Sequence, residues 1–322
     1  IPEAVPTGAL SVGTAANHAV PLERIQATLC AAGYQEVINY SFVDLKLLEI
    51  FGMDEGALPL ANPLSSDLAV MRTSLIPGLL MNLARNTRRQ EARVRLFETG
   101  VTFDQQASLV ETHCIAGVAC GSVHDEHWDE PGREVDFFDL KGDVERLLAL
   151  RGATDSIRFE RHDMDWGHPG ASARILVDAG DQTQSVGWCA VLHPRLQKAV
   201  EIRQTVVAFE LDLNRLRSRE VPLAKEYSRF PSVRRDLALE VPVDVDYGSL
   251  RDCVVECAGA LLKNLVIFDV YEGQNLTKGY KSLAIGLILQ HVSSTLTDEA
   301  IDDLVRDIVS ELERRLGARL RG

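Results

Sequence analysis

The chain has 322 residues, 46% apolar and 25% charged, with a formal net charge of −13. That length predicts two domains rather than one core, and the acidic balance excludes a protein that coats nucleic acid through bulk charge. No apolar run nears the roughly 20 residues that cross a bilayer, so no membrane association is expected. The opening residues, IPEAVPTGAL, lack the basic start and apolar middle of a signal peptide.

In chain order, PLERIQATLCAAG predicts a helix: Leu22, Ile25 and Leu29 recur at helical spacing, with Pro21 before them and Gly33 after. EVINYSFV reads as a strand. NPLSSDLAVMRTSLIPGLLMNLARNTRRQ predicts a turn, a short strand and a helix with Leu79, Leu80 and Leu83 on its apolar side. VRLFETGVTF and HCIAGVACG are further strands. DFFDLKGDVERLLALRG is a helix buried through Leu140, Val144, Leu147 and Leu148, and SARILVDAGDQTQSVGWCAVLHP is two strands about a polar turn. The strand VVAFELD follows. These elements predict a mixed domain over residues 1–216, with a largely antiparallel sheet.

Residues 217–226 are polar and contain a proline, as a linker would. Residues 227–322 then show strand, helix, strand, strand, helix, strand: RRDLALEV, YGSLRDCVVECAGAL, LVIFDVYEG, YKSLAIGLILQ, TDEAIDDLVRDIVSELERRLG and ARLR. That is the ferredoxin-like order. Thr297 should cap the last helix, with Asp298 and Glu299 at its positive end and Arg314 and Arg315 at its negative end. The expected fold class is therefore α+β throughout. From Lys225 on there are 13 Lys and Arg against 16 Asp and Glu, a balance of −3 out of the total −13, so the second domain is the less acidic one.

Six cysteines, Cys30, Cys114, Cys120, Cys189, Cys253 and Cys257, form no CxxC pair, and a reducing cytoplasm fits them. His124 and His127 in HDEHW offer half a zinc site at most, without a second cluster, and a surface turn accounts for them better. His168 and His193 each precede a proline, which suggests turns. No nucleophile elbow, Walker loop or GxGxxG stretch is present. In AFELDL, Glu210 and Asp212 share one strand face and Phe209, Leu211 and Leu213 the other. Such carboxylates are either an acid–base pair or a solvated face. In the second domain Arg229, Arg234 and Arg235 lie near Phe230, and Lys278 and Lys281 near Tyr271 and Tyr280. An RNA-binding sheet and a charged sheet rim both fit that composition.

SRFPSVRRDLALEV, FDVYEG and GYKSLAIGLILQ closely resemble the ferredoxin-fold anticodon-binding domain of the bacterial phenylalanyl-tRNA synthetase beta subunit. GYQEVINYSFVD, NPLSSDLAVMRTSLIPGLL, RVRLFETG, EHW, DFFDLKGDVE and VLHP resemble, in order, the inactive class II synthetase-like core of the same subunit. The resemblance implies an α2β2 heterotetramer that joins phenylalanine to tRNA(Phe) with ATP and Mg²⁺. It places the active site in the alpha subunit and no cofactor in this chain, which would be a C-terminal portion of the beta subunit. Active class II enzymes carry a stretch similar to AFGLGLDRL against the nucleotide. Here Phe209, Leu211, Leu213 and Arg215 keep that frame, while Glu210 and Asp212 replace the glycines. Phe97 stands where an ATP-binding arginine would be, beside a retained Glu98. The implied reading is a degenerate nucleotide site formed by Phe97, Glu98, Glu210, Asp212 and Arg215. The implied tRNA contacts are Arg229, Arg234, Arg235, Tyr271, Lys278, Tyr280 and Lys281, with Arg235–Asp236 alternatively a structural pair. Leu80 and Met81 are candidates to face the alpha subunit. Two other readings remain: an independent enzyme using Glu210, Asp212 or the His124–His127 pair, and a free-standing RNA-binding or scaffold protein.

Overall fold

The computed structural model describes residues 19–105, 108–129, 131–152, 157–179, 182–219, 227–273 and 276–321. The chain divides into two compact units, Ile1–Pro222 and Leu223–Gly322. Most of the expected linker, residues 220–226, lies outside the described residues, as does the tip of the predicted 178–182 turn.

The first unit contains α1 (Leu22–Ala31), β1 (Gln35–Glu36), β2 (Phe42–Val43), α2 (Leu45–Phe51), β3 (Val70–Met71), α3 (Ile76–Arg88), β4 (Val94–Gln105) and β5 (Leu109–Cys120). It continues with α4 (Phe137–Ala149), β6 (Ile157–Arg161), β7 (Gly167–Ala179), β8 (Gln182–Leu192), α5 (Pro194–Ala199), β9 (Val206–Asp212) and α6 (Leu213–Arg217). Seven strands form one sheet in the order β1-β4-β5-β9-β8-β7-β6. Only the short β1 is parallel to its neighbour; the other pairs are antiparallel. The predicted strand EVINYSFV is in fact two fragments. Val37 N–H makes a last bond to Phe97 O at 2.9 Å, Asn39 turns away to bond side chains, and Phe42 pairs with Met71 instead.

Both faces of this sheet are buried, which is why its central strands are almost uninterrupted apolar runs. One face packs Phe97, Ile115, Val207, Phe209 and Leu211 against α1, α4 and α6. The other packs Leu96, Ala116, Val118, Val206 and Ala208 against α3 and α5. Phe209 is fully buried, a side chain whose burial contributes roughly 2–3 kcal/mol. It needs Gly117 opposite it, where a Cβ would sit 2.4 Å from the ring. Helix α4 starts where expected because Asp136 and Asp139 form a reciprocal capping box. Its buried Asp143 is held by Arg95 at 3.2 Å, Tyr34 Oη at 3.0 Å and Arg146 at 2.6 Å. Burial pushes that carboxyl above its ordinary range, against those three donors.

The second unit contains β10 (Val233–Pro242), α7 (Tyr247–Ala258), β11 (Leu262–Tyr271), β12 (Tyr280–Leu289), α8 (Asp298–Leu316) and β13 (Arg319–Leu320). Its sheet order is β11-β12-β10-β13, antiparallel throughout, which is the ferredoxin-like arrangement. Thr297 Oγ1 caps α8 by accepting from Ala300 N–H at 3.3 Å, with the acidic first turn and basic last turn the sequence predicts. Leu239, Val241, Leu283, Ile285 and Leu287 point to the helices and form the core with Leu250, Val254, Ile301 and Ile308. Alternation sends the intervening residues of β10 and β12 to the opposite, helix-free face. All six cysteines are free. Among the described residues no helix is long and apolar enough to cross a membrane.

Candidate functional site

Strands β4, β5 and β9 place Glu98, Ala116 and Glu210 in one row across the sheet. Both carboxylates therefore face α3, separated only by an alanine. Glu98 is held by Arg72 at 2.7 Å, by Asn39 Nδ2 at 2.7 Å and by Asn39 N–H at 3.2 Å. Arg72 also donates to Val101 O at 2.9 Å, and Asn82 donates to Asn39 at 2.7 Å. The arginine fits only because residue 100 is glycine: a Cβ there would lie 2.2 Å from its Nη2. Both partners of the Arg72–Glu98 pair are almost fully buried.

Glu210 is buried too, and its Oε2 accepts from Ser74 Oγ at 2.8 Å and Leu75 N–H at 2.7 Å. Leu75 precedes α3 and cannot cap it with its own side chain. Glu210 supplies that cap from across the sheet, at the positive end of the helix. Burial pushes its carboxyl up to about 7, against the hydrogen bonds from Leu75, Ser74 and the charge of Arg72; Glu98 adds to the rise. Asp212 acts locally: it accepts from Arg215 N–H at 3.0 Å to cap α6, and ion-pairs with the Arg215 side chain at 3.2 Å. Arg215 also donates to Ser185 O. These residues do not fit a nucleotide. Glu210 and Arg72 are committed to the protein's own backbone and side chains, and the added charge at both former glycine positions is negative.

Three sequence expectations change here. Phe97 does not belong to this cluster: it faces the opposite side of the sheet, fully buried against α1 and α4, because consecutive strand residues alternate. Leu80 cannot face a partner subunit, since it lies fully buried on the core side of α3 with Leu79 and Leu83. Met81, one residue on, is 44% exposed, and Ile38 and Tyr40 are exposed on either side of the Asn39 that bonds Asn82. The structural pair on β10 is Arg234–Asp236 at 2.7 Å, two residues apart on one face, not Arg235–Asp236.

His127 Nδ1 accepts from Asp129 N–H at 3.2 Å and its ring stacks on the exposed Trp128, so it organises a turn. Among the described residues no three His, Cys, Asp or Glu side chains gather as a metal site. His193 caps α5 and His168 accepts from Gly170 N–H, both in turns before proline.

The helix-free face of the second unit gathers a different set. Arg234 lies 5.3 Å over the Phe268 ring, and Arg321 lies 5.9 Å over the Tyr271 ring while donating to Ser282 Oγ at 3.4 Å. Ala238, Ala284 and Gly286 form a low floor between these groups. Of the expected tRNA contacts, Arg234 and Tyr271 share this face, and Tyr280 begins β12 with the same orientation. Arg229 and Lys278 are exposed, one before β10 and one in the β11–β12 connection. Arg235 and Lys281 have other duties: Arg235 pairs with Asp298 at 3.0 Å, and Lys281 Nζ donates to Val243 O and Val245 O at 3.1 and 2.7 Å. Sequence reasoning missed Phe268, Ser282 and Arg321. A regular alternation places Phe268 and Tyr271 on opposite faces, and a bulge in β11 between Ile267 and Asp269 overrides it.

Residues 1–213 match the family model described as the phenylalanyl tRNA synthetase beta chain CLM domain. The chain belongs to the phenylalanyl-tRNA synthetase beta chain family. Residues 228–321 match the ferredoxin-fold anticodon binding domain, the unit that carries the aromatic–arginine face. The phenylalanine–tRNA ligase beta subunit of Xanthomonas axonopodis pv. citri (strain 306) is 44% identical over 325 aligned residues, and that of Xylella fastidiosa (strain Temecula1 / ATCC 700964) is 42% identical. Each alignment takes in the whole of this chain and 40% of the relative, so the chain spans about two-fifths of the beta-chain relatives it matches.

Proposed function

We propose that the chain is the inactive-core and anticodon-binding portion of a phenylalanine–tRNA ligase beta subunit. The first unit assembles with a catalytic alpha subunit in an α2β2 enzyme of the cytoplasm. The second holds the anticodon loop of tRNA(Phe). ATP, Mg²⁺ and phenylalanine are handled by the alpha subunit, and this chain binds no cofactor of its own.

One observation carries this reading: two arginine–aromatic contacts lie on the helix-free sheet face of the unit matched by the anticodon-binding model. Unpaired loop bases can stack on exposed rings there while guanidinium groups meet phosphates. The first unit supports its own part of the reading. Glu210 and Glu98 are consumed in holding α3 and Arg72, which leaves a scaffold with exposed Met81, Ile38 and Tyr40 as apolar surface for a partner.

Co-expression with the alpha subunit of the same source tests both halves. The expected result is co-purification of the two chains and retention of tRNA(Phe) in preference to a tRNA with another anticodon. Separate elution of the chains, together with no anticodon preference, overturns the proposal.

A further inference from the structure

We infer that the helix-free face of the second unit carries two base-stacking platforms and takes two consecutive unpaired nucleotides. This rests on the reading of that face as an RNA-binding surface. The first platform is Tyr271, backed by Arg321; the second is Phe268, backed by Arg234. Phe268 is 50% exposed and Tyr271 38%, so each ring keeps open area for a base.

Their arrangement follows from the bulge. Between Ile267 and Asp269, two residues of β11 stand against a single step of β12, from Ile285 to Ala284. The extra residue brings Phe268 onto the face that Tyr271 occupies. Tyr271 pairs with Ser282, so the rings are about two and a half strand steps apart, roughly 8 Å. One extended nucleotide spans a similar length, and nothing taller than Ala284 stands between the rings on β12. A second feature keeps the Phe268 platform in place. A Cβ at Gly286 would lie 3.0 Å from Asp236 Oδ1 and 3.2 Å from Arg234 Nε, so the glycine is what allows Arg234 to lie flat across β12 and reach the phenylalanine. The carboxylate of Asp236 fixes that pose. The occupant is thus a single-stranded dinucleotide with stacked bases, its backbone crossing from Arg321 to Arg234.

The test uses the full chain and a synthetic tRNA(Phe) anticodon stem-loop hairpin, with versions abasic at each loop position in turn. Phe268→Ala is expected to weaken hairpin binding by about 5- to 100-fold, the range of one lost base stack, with an unchanged thermal midpoint. It should also become insensitive to removal of one particular base. Tyr271→Ala should become insensitive to removal of the neighbouring base and of no other. Phe268→Tyr, which keeps the ring, should bind as the parent does. The inference is overturned if Phe268→Ala leaves binding unchanged while Tyr271→Ala weakens it, since that leaves one platform. It also fails if both variants lose sensitivity to the same base. If the hairpin does not bind, or neither ring matters to a hairpin that binds, the RNA-binding reading of this face fails as well.

Discussion

The row of Glu98, Ala116 and Glu210 in the first unit and the Phe268–Tyr271 face in the second are both sheet surfaces bearing polar or aromatic groups between apolar ones. They differ in what those groups touch. In the first, α3 lies over the row, and its carboxylates are turned inward to a buried arginine and a helix end. In the second, no described helix of the unit covers the surface, and the arginines touch only rings, a hydroxyl and one another's strand neighbours. A buried, satisfied network holds a fold together; an exposed, pre-arranged one is available to a ligand. Substitutions in the first region should therefore register in stability, and substitutions in the second in binding.

Arg72→Ala should give the largest effect. It strands Glu98 without a cation in a buried site, for a loss of about 3–5 kcal/mol by chemical denaturation. A loss below about 1 kcal/mol would mean that solvent reaches the pair. Glu210→Ala should come next, at about 1–3 kcal/mol, by leaving Leu75 N–H and Ser74 Oγ without their partner. The glycine found in active relatives of this strand should not create nucleotide affinity at this position, because Arg72 and Glu98 remain locked together. Calorimetric titration of Glu210→Gly with ATP checks this.

Glu210 also gives the first unit a dependence on pH. Its carboxyl is raised from 4.5 to about 7 in the folded chain, so between those values the native state holds a proton that the unfolded chain has released. Stability must then fall as pH rises through this window and level off above it. Glu210→Gln, which cannot ionise, should gain on the parent by at most roughly 3 kcal/mol between pH 4.5 and 8. Parallel pH–stability curves for the two proteins would show that Glu210 is not buried as described. The smallest effect is expected from Arg235→Ala. Its partner Asp298 is exposed, and the pair is worth less than about 1 kcal/mol. Hairpin affinity per folded molecule should stay unchanged, in contrast to Phe268→Ala.

Much of the fold is legible in the sequence because local pattern and tertiary demand agree. The strand–helix order of the second unit, the Thr297 cap and the apolar stripe of α4 are all short-range signals. The alternation in AFELD likewise places Glu210 and Asp212 on one face, as found. What Glu210 binds is not legible, because Ser74 lies 136 positions away and only the packing of α3 on β9 brings it there. Leu80 is a different case. Its helical spacing with Leu79 and Leu83 already marks the buried side, and the interface expectation went against that signal. Phe97 follows the same lesson, since alternation separates it from Glu98. For Phe268 the local signal itself misleads, because one inserted residue reverses the face of everything beside it.

The central claim is that the first unit keeps a synthetase-like frame without its chemistry. Phenylalanine-dependent ATP–pyrophosphate exchange tests it most directly, measured on the chain alone and again with the matching alpha subunit added. No exchange by the chain alone, and exchange once alpha is present, is the predicted result. Exchange by the chain alone that disappears in Glu210→Ala would contradict it, and would make Glu210 part of an active site rather than the cap of a helix.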